Sequence, residues 1–364
     1  MRLSRTLSSH LALQFITTFL VVFAGLLSVV FVFDFIELLR RASAKSFIPV
    51  NVLVEMGLCK LPQMGELLMP FAILFSAMLL FWRLQRSQQL VAARACGVSG
   101  WQFLTPVLVS AFVLGVVHIT VLNPVAAAFF ARFEQLENRY LRSNISQLSV
   151  AGSGLWLRQG VDGQETIIYG RKLRPHEFVL EDVTVFAFGP ENDFLYRLDG
   201  KEAILESGAW YMPEAYRLYK NGQSEAVKEV RISTELTPSS LQDSFASPET
   251  LSFWVLPEFI GTLQQAGLSA LRHRLYWHSL LANPFLFCAM VLIAATLSFR
   301  QQRGKKIIGL LVGGLFAGFL LFFFSDLIGA LGQSGRLPIV LAAWTPAVVA
   351  LLLGTTLVLH YEES

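Results

Sequence analysis

Four ionisable residues, Asp34, Glu66, His118 and Asp326, stand within or beside long apolar stretches. A charge there is costly and deserves a functional hypothesis by default. Three of them lie near the ends of their stretches, where water or headgroups can solvate them, and only His118 reads as deep. A single histidine makes a poor ion relay, and a proton-coupled carrier would ordinarily show more. The basic residues suggest different chemistry. Arg40, Arg41, Lys45 and Lys60 cluster between the first two apolar stretches. Either they anchor a helix end by snorkelling into headgroups, or they face an anionic molecule at that membrane surface.

Patterns that would mark an enzyme are missing from the sequence. There is no Gly-x-x-x-x-Gly-Lys-Ser/Thr phosphate loop, and Gly304-Lys305-Lys306 lacks both the upstream glycine and the following hydroxyl. There is no His-Glu-x-x-His and no paired-cysteine zinc spacing. Cys59, Cys96 and Cys288 lie far apart, so neither a disulfide framework nor a thiolate cluster is expected. His273 and His278 are five residues apart and fall on different helical faces. No catalytic residue, metal or cofactor is therefore expected, and any energy used here must come from a partner or a gradient.

The elements that would position these residues form a layout of three apolar runs, a polar insert, and three more runs. The runs are Leu11–Phe33, Leu61–Trp82, Phe103–Val125, Leu275–Phe299, Ile307–Ser325 and Leu337–His360, each long enough or nearly so to cross a bilayer. A 54% hydrophobic share, 15% charged residues and a mean hydropathy of +0.54 exclude an ordinary soluble domain. The net charge of +3 gives no reason to expect nucleic acid. Leu11–Phe33 is longer than a signal peptide's apolar core, so it reads as a retained anchor. Counting loop cations outside the insert gives nine on the side of the termini and five opposite, which puts both termini in the cytoplasm.

The insert has period-two alternation, as in Val183, Val185 and Ala187 against Thr184 and Phe186. Asp162-Gly163, Gly189-Pro190, Asp199-Gly200, Ser207-Gly208 and Asn221-Gly222 read as turns between short strands. An antiparallel sandwich, jelly roll or partly open barrel fits that pattern. The expected architecture is an α-helical membrane protein of six transmembrane helices with an inserted all-β, jelly-roll-like domain. Its parts are helices one to three over 1–140, the β domain over 141–250, a helical linker over 251–274 and helices four to six over 275–364. Glu258–Leu271 suggests a short amphipathic helix on the outer surface leading into the fourth span.

Two further segments invite a role in coupling. Arg83–Gln102 is too short and polar to span, yet rich in helix formers, with a stop at Gly97 and Gly100. Its apolar strip beside Arg83, Arg86 and Arg94 would suit either a membrane surface or a partner's groove. In the fifth run, Gly309-x-x-x-Gly313 and Gly314-x-x-x-Gly318 permit close helix approach, either as static packing or as a sliding contact at a gate.

Local segments then carry a resemblance. FIELLRRA (Phe35–Ala42), LMPFAILFSAMLLFWRLQRS from residue 68 to 87, LVAARACGVS (Leu90–Ser99), GLWLR (Gly154–Arg158) and LPIVLAAWTPAVVALLLG (Leu337–Gly354) occur in order across the chain. Together they resemble the lipopolysaccharide export permeases of the LptF/LptG (YjgP/YjgQ) family, nearer its LptG branch. The resemblance implies a non-catalytic permease subunit of an ABC exporter in a Gram-negative inner membrane, with its β domain in the periplasm. It implies an LptF-type six-span partner, an LptB-type cytoplasmic ATPase dimer, and LptC- and LptA-type periplasmic β proteins. Lipopolysaccharide would be taken from the outer leaflet and passed through the β domain toward the outer membrane.

On that resemblance, Arg40, Arg41 and Lys45 are candidate substrate-binding residues. Arg86, Gln89, Leu90, Arg94 and Gly97 are candidates for ATPase coupling, and Gly309, Gly313, Gly314 and Gly318 for gate packing. Two residues depart from the family pattern. Asp34 stands where a lysine is common, and would repel phosphate unless a cation neutralises it. Gln89 replaces a glutamate of the coupling helix. Two other functions remain open: a membrane-anchored scaffold or sensor whose β domain binds a periplasmic ligand, and a membrane-embedded enzyme acting on lipid.

Overall fold

The computed structural model describes residues 5–43, 48–89, 95, 99–141, 147–151, 154–161, 164–174, 178–189, 193–206, 208–220, 222–234, 247–265, 268–299 and 307–363. The chain divides into two compact units. One comprises Met1–Leu136, Ser252–Trp254 and Arg274–Ser364; the other comprises Glu137–Leu251 and Val255–His273.

The first unit is helical, and among the described residues six helices are long and apolar enough to cross a membrane. They are α1 (Arg5–Ser43), α2 (Val50–Arg86), the third span made of α3 (Gly100–Val117) and α4 (Asn123–Tyr140), then α6 (Leu271–Phe299), α7 (Ile307–Gln333) and α8 (Ile339–Glu363). At about 1.5 Å per residue, α1 and α2 reach well beyond a hydrocarbon core of about 30 Å. The apolar runs therefore cover only part of the first two helices. Lys60, expected in a loop between spans, lies inside α2, and Glu66 lies well within the same helix. Gly100, expected as a stop, opens α3: the Ser99 hydroxyl accepts from the Gln102 backbone and the Gln102 side chain answers in a capping box.

α2 and α6 form the centre of the bundle, with 56% and 61% of their most apolar stretches buried. Met69, Ile73, Leu74 and Met78 of α2 pack with Phe103, Leu104 and Val107 of α3 and with Phe287 and Val291 of α6. Gly115 of α3 lies directly against Pro284 of α6.

The third span is not one continuous α-helix. Pro124 has no N–H, so the Thr120 carbonyl loses its helical donor. The backbone widens into a π turn over His118–Leu122, and the Trp254 indole donates to the Thr120 carbonyl at 3.4 Å. Asn123, fully buried, donates to the Tyr276 hydroxyl at 3.0 Å and accepts from the Phe253 backbone at 2.8 Å. One Asn-Pro pair thus creates a bulge, and its neighbours supply the polar partners that make it tolerable in an apolar setting.

The second unit is a single seven-stranded antiparallel sheet in the order β1 to β7. The strands are β1 (Gln147–Ala151), β2 (Gly154–Val161), β3 (Gln164–Arg174), β4 (Val179–Phe188), β5 (Phe194–Glu206), β6 (Ala209–Tyr219) and β7 (Ser224–Ser233). A helical membrane protein with an inserted β domain is what the sequence led one to expect. The insert is jelly-roll-like in being all-antiparallel over an apolar core, while its strand order is that of a meander. Alternation sets the faces, so Val183, Val185 and Ala187 are buried with Leu157, Leu198, Trp210 and Met212. A short helix, α5 (Leu256–Gln265), joins this core through Leu263.

Gly208 and Gly222 fall between strands at positive φ, as tight turns require, while Ser207 and Asn221 lie outside the described residues. Asp199-Gly200 does not turn and lies inside β5. Glycine suits the packing there, because a Cβ on Gly200 would press on the end of the Met212 side chain and lie 3.0 Å from the Glu214 carbonyl oxygen, both on β6. The sheet's ladder is irregular across this line. Asp182 on β4 and Glu229 on β7 take positive φ, and Pro213 interrupts β6.

Candidate functional site

The basic end of the first span is built by its own helix turn. Glu37 accepts from Arg40 Nε and Nη2, both at 2.8 Å, and from Arg41 Nε at 3.0 Å. All three side chains are exposed, Arg40 at 75% and Arg41 at 58%. Exposed ion pairs of this kind contribute only about 0–1 kcal/mol, so a phosphate can displace Glu37 at little cost. The cluster carries a net charge of +1 rather than the +2 of two free arginines. Lys45 lies outside the described residues.

One turn earlier on α1, Asp34 accepts from Lys60 Nζ at 2.6 Å, and both side chains are about a quarter exposed. This is the cation that Asp34 lacks in the linear sequence. The carboxylate is neutralised from α2, so it presents no net repulsion to an anion at the helix end. Breaking such a half-buried pair leaves one charge uncompensated. Lys60→Met is expected to destabilise the helical unit by about 1–3 kcal/mol, with Asp34→Asn in the same chain restoring most of it. Chemical denaturation of the four variants in one double-mutant cycle checks the pair. Arg132 of α4 and Glu55 of α2 add a further ion pair at 2.9 Å, so three helices meet at this end through charged side chains.

At the opposite end of α2, Arg86 lies over the Trp82 ring at 5.4 Å, and Arg83 donates to Thr18 Oγ1 at 3.5 Å. Both arginines belong to the last turns of α2 rather than to a separate coupling helix. Gln88 takes positive φ just beyond the helix, and Gln89 lines a small cavity of about 130 Å³ with Gln14, Thr18 and Arg83. Leu90, Arg94 and Gly97 lie outside the described residues. Arg86 and Gln89 are thus placed together at one helix end, and the remainder of that proposed surface is undescribed.

The four glycines of the fifth span separate by environment. Gly314 is buried against Met78 of α2, and Gly318 against Leu74 and Phe71, which a Cβ would meet at 3.1 and 3.2 Å. Gly313 has only Leu297 at 4.0 Å, and Gly309 is exposed. One glycine pair out of register therefore forms the seam: Gly314 and Gly318, with α2. Gly318→Leu is expected to cost about 1–3 kcal/mol by overpacking, while Gly313→Leu stays within about 0.5 kcal/mol. Thermal melting of the detergent-solubilised chain distinguishes the two.

The β unit offers two faces of opposite character. One is closed and apolar, with Leu157, Leu198 and Trp210 fully buried. The other carries an open groove of about 730 Å³, whose lining mixes charged Arg171, Asp182, Lys201 and Glu202 with Tyr169, Pro213 and Tyr216. Among the described residues, no three His, Cys, Asp or Glu side chains gather as a metal site.

Among the described residues, six membrane-length helices split by an antiparallel β insert define a multi-pass membrane protein. The sequence model of the lipopolysaccharide export system permease family LptF/LptG matches residues 10–360, and the chain belongs to that family. It is similar to the lipopolysaccharide export system permease protein LptG of Escherichia coli K12, 22% identical over 368 residues that cover 97% of this chain and 98% of that protein. LptG of Haemophilus influenzae is 20% identical over 346 residues, 91% of this chain and 93% of its own. Six apolar helices in a permease of this family mark a multi-pass inner-membrane protein.

Proposed function

We propose that this chain is one permease subunit of an ATP-driven exporter. In this reading it takes lipopolysaccharide from the outer leaflet of the inner membrane and passes it to its own periplasmic β unit, toward the outer membrane. The termini are cytoplasmic, and the chain itself catalyses nothing. A six-span LptF-type permease, an LptB-type ATPase dimer and LptC- and LptA-type β proteins complete the assembly.

The observation that carries this reading is how little of the first and fifth spans the chain itself covers. Only 6% of the most apolar stretch of α1 and 11% of that of α7 are buried. Phe33 on α1 and Phe316, Phe319 and Phe323 on α7 are among the exposed side chains. Lipid alone can cover such surface, but the two spans that leave most of it uncovered are also the ones a partner subunit or an amphiphile can engage at least cost. Arg40 and Arg41, with Lys45, then meet the phosphates, and the Gly314–Gly318 seam lets α7 shift on α2. Arg86 and Gln89, with Leu90, Arg94 and Gly97, meet the ATPase. The apolar face of the sheet takes the acyl chains, which requires Leu198 and Trp210 to part from their neighbours.

Gentle purification from the native membrane tests the assembly. A second six-span permease and a soluble ATPase are expected to come with the chain. A chain that purifies alone, with a small periplasmic ligand on its β unit, would favour a sensor instead.

A further inference from the structure

The structure brings Glu66 and His118 together at the π turn of the third span. Their side chains are 15% and 2% exposed, with His118 Nε2 3.5 Å from Glu66 Oε1. Among the described residues, neither ring nitrogen of His118 nor Glu66 Oε1 has a hydrogen-bond partner. Buried polar atoms are nearly always satisfied, so three orphans converging on one place are a signal. Phe287 of α6 closes one side, with its ring centre 5.8 Å from the imidazole.

The backbone around the pair is loosened from both helices. Pro70 has no N–H to donate to the Glu66 carbonyl, four residues earlier in α2. The π turn begins at His118 itself. Prolines and π turns are where helices bend or shift register.

We propose that Glu66 and His118 form a one-proton site between the second and third spans. With two protons the pair leaves a buried imidazolium uncompensated, and with none it leaves a bare carboxylate. With one it is neutral overall, the only state an apolar interior accepts cheaply. The shared proton lies between His118 Nε2 and Glu66 Oε1, the two atoms that face each other at 3.5 Å. The proton comes from water and returns to water when the two helices part, and no other reactant is involved.

Other ionisable groups on the packed helices are engaged elsewhere or stand apart. Asp34 of α1 binds Lys60, and Glu55 of α2 binds Arg132. Asp326 of α7 and His278 of α6 make no ion pair with either member among the described residues. The proposal is independent of lipopolysaccharide transport, because it concerns the resting helical unit alone.

Nitrogen-15 spectra of histidine in the full-length chain in lipid nanodiscs test it, with His118→Gln assigning the signal. The wild-type ring is expected to show a proton on the nitrogen that faces the carboxylate, and that signal is expected to shift in Glu66→Gln, where the carboxylate is gone. A signal unchanged by Glu66→Gln overturns the proposal. If Glu66→Gln does not fold, the infrared spectrum of His118→Gln decides. A new protonated carboxyl band that disappears in Glu66→Gln/His118→Gln, or in a chain isotope-edited at glutamate, supports the site; an ionised Glu66 there overturns it.

Discussion

Replacing Arg40 and Arg41 together by glutamate is expected to lower lipopolysaccharide crosslinking at the outer end of the first span at least tenfold. Each arginine offers a planar fork of donors that matches a phosphate. A charge-assisted contact contributes about 1.5–3 kcal/mol, and 1.4 kcal/mol is already a factor of ten in affinity. In the resting chain both arginines pair with Glu37, so an arriving anion would have to compete with that carboxylate. Glu37→Gln removes the internal competitor while leaving both cations, and is expected to raise the same crosslinking. The opposite signs matter, because a merely structural role at the helix end would make both substitutions harmful or neutral. Photocrosslinking from position 36, exposed on the same helix, with lipopolysaccharide detected on the gel, provides the measurement. Equal yields in all three chains would remove the arginines from the site.

The largest effect on stability is expected at Gly115. A Cβ there would lie 2.5 Å from Pro284 Cα and 2.9 Å from its Cβ. Proline's backbone and ring cannot swing aside as a flexible side chain can, so α3 and α6 must separate along their contact. Gly115→Ala is expected to cost about 3 kcal/mol, at the upper end of overpacking penalties, and Gly115→Leu more. Gly25, on α1, has nothing within 4 Å of the same position. Gly25→Ala should therefore be neutral, or stabilise the helix by about 0.5–1 kcal/mol. Thermal denaturation of the three chains in one detergent gives the comparison. Its importance extends beyond stability, because Gly115 stands one turn before the π segment and fixes how His118 meets α6.

The sequence carried the architecture because hydropathy and alternation are local signals. Six apolar runs located six helices, and Val183, Val185 and Ala187 marked the buried face of β4 before any contact was known. What local signals cannot supply is the partner. Asp34 looked like a liability to an anion site until Lys60, 26 residues away, was found beside it. Glu66 reads as a span-end residue because the apolar run begins at Leu61, whereas α2 begins at Val50. His118 consequently looked alone. A cue was present in Asn123-Pro124, which predicts a break in helical hydrogen bonding one turn after His118. Asp199-Gly200 misled for a related reason: the dipeptide that permits a tight turn also permits close approach, and Met212 decides between them. For the coupling segment, Arg86 and Gln89 lie at one end of α2, and of the four glycines read from the α7 pattern only Gly314 and Gly318 pack against α2.

Crosslinking between lipopolysaccharide and the β unit tests the central proposal most directly. A photoreactive residue is placed at Leu198, on the apolar face, or at Thr184, on the opposite face, in the chain assembled with its co-purifying proteins in lipopolysaccharide-containing proteoliposomes. The expected result is crosslinking at position 198 that rises on ATP addition, with little at 184 under either condition. Crosslinking that is equal on both faces and indifferent to ATP would contradict passage through the sheet.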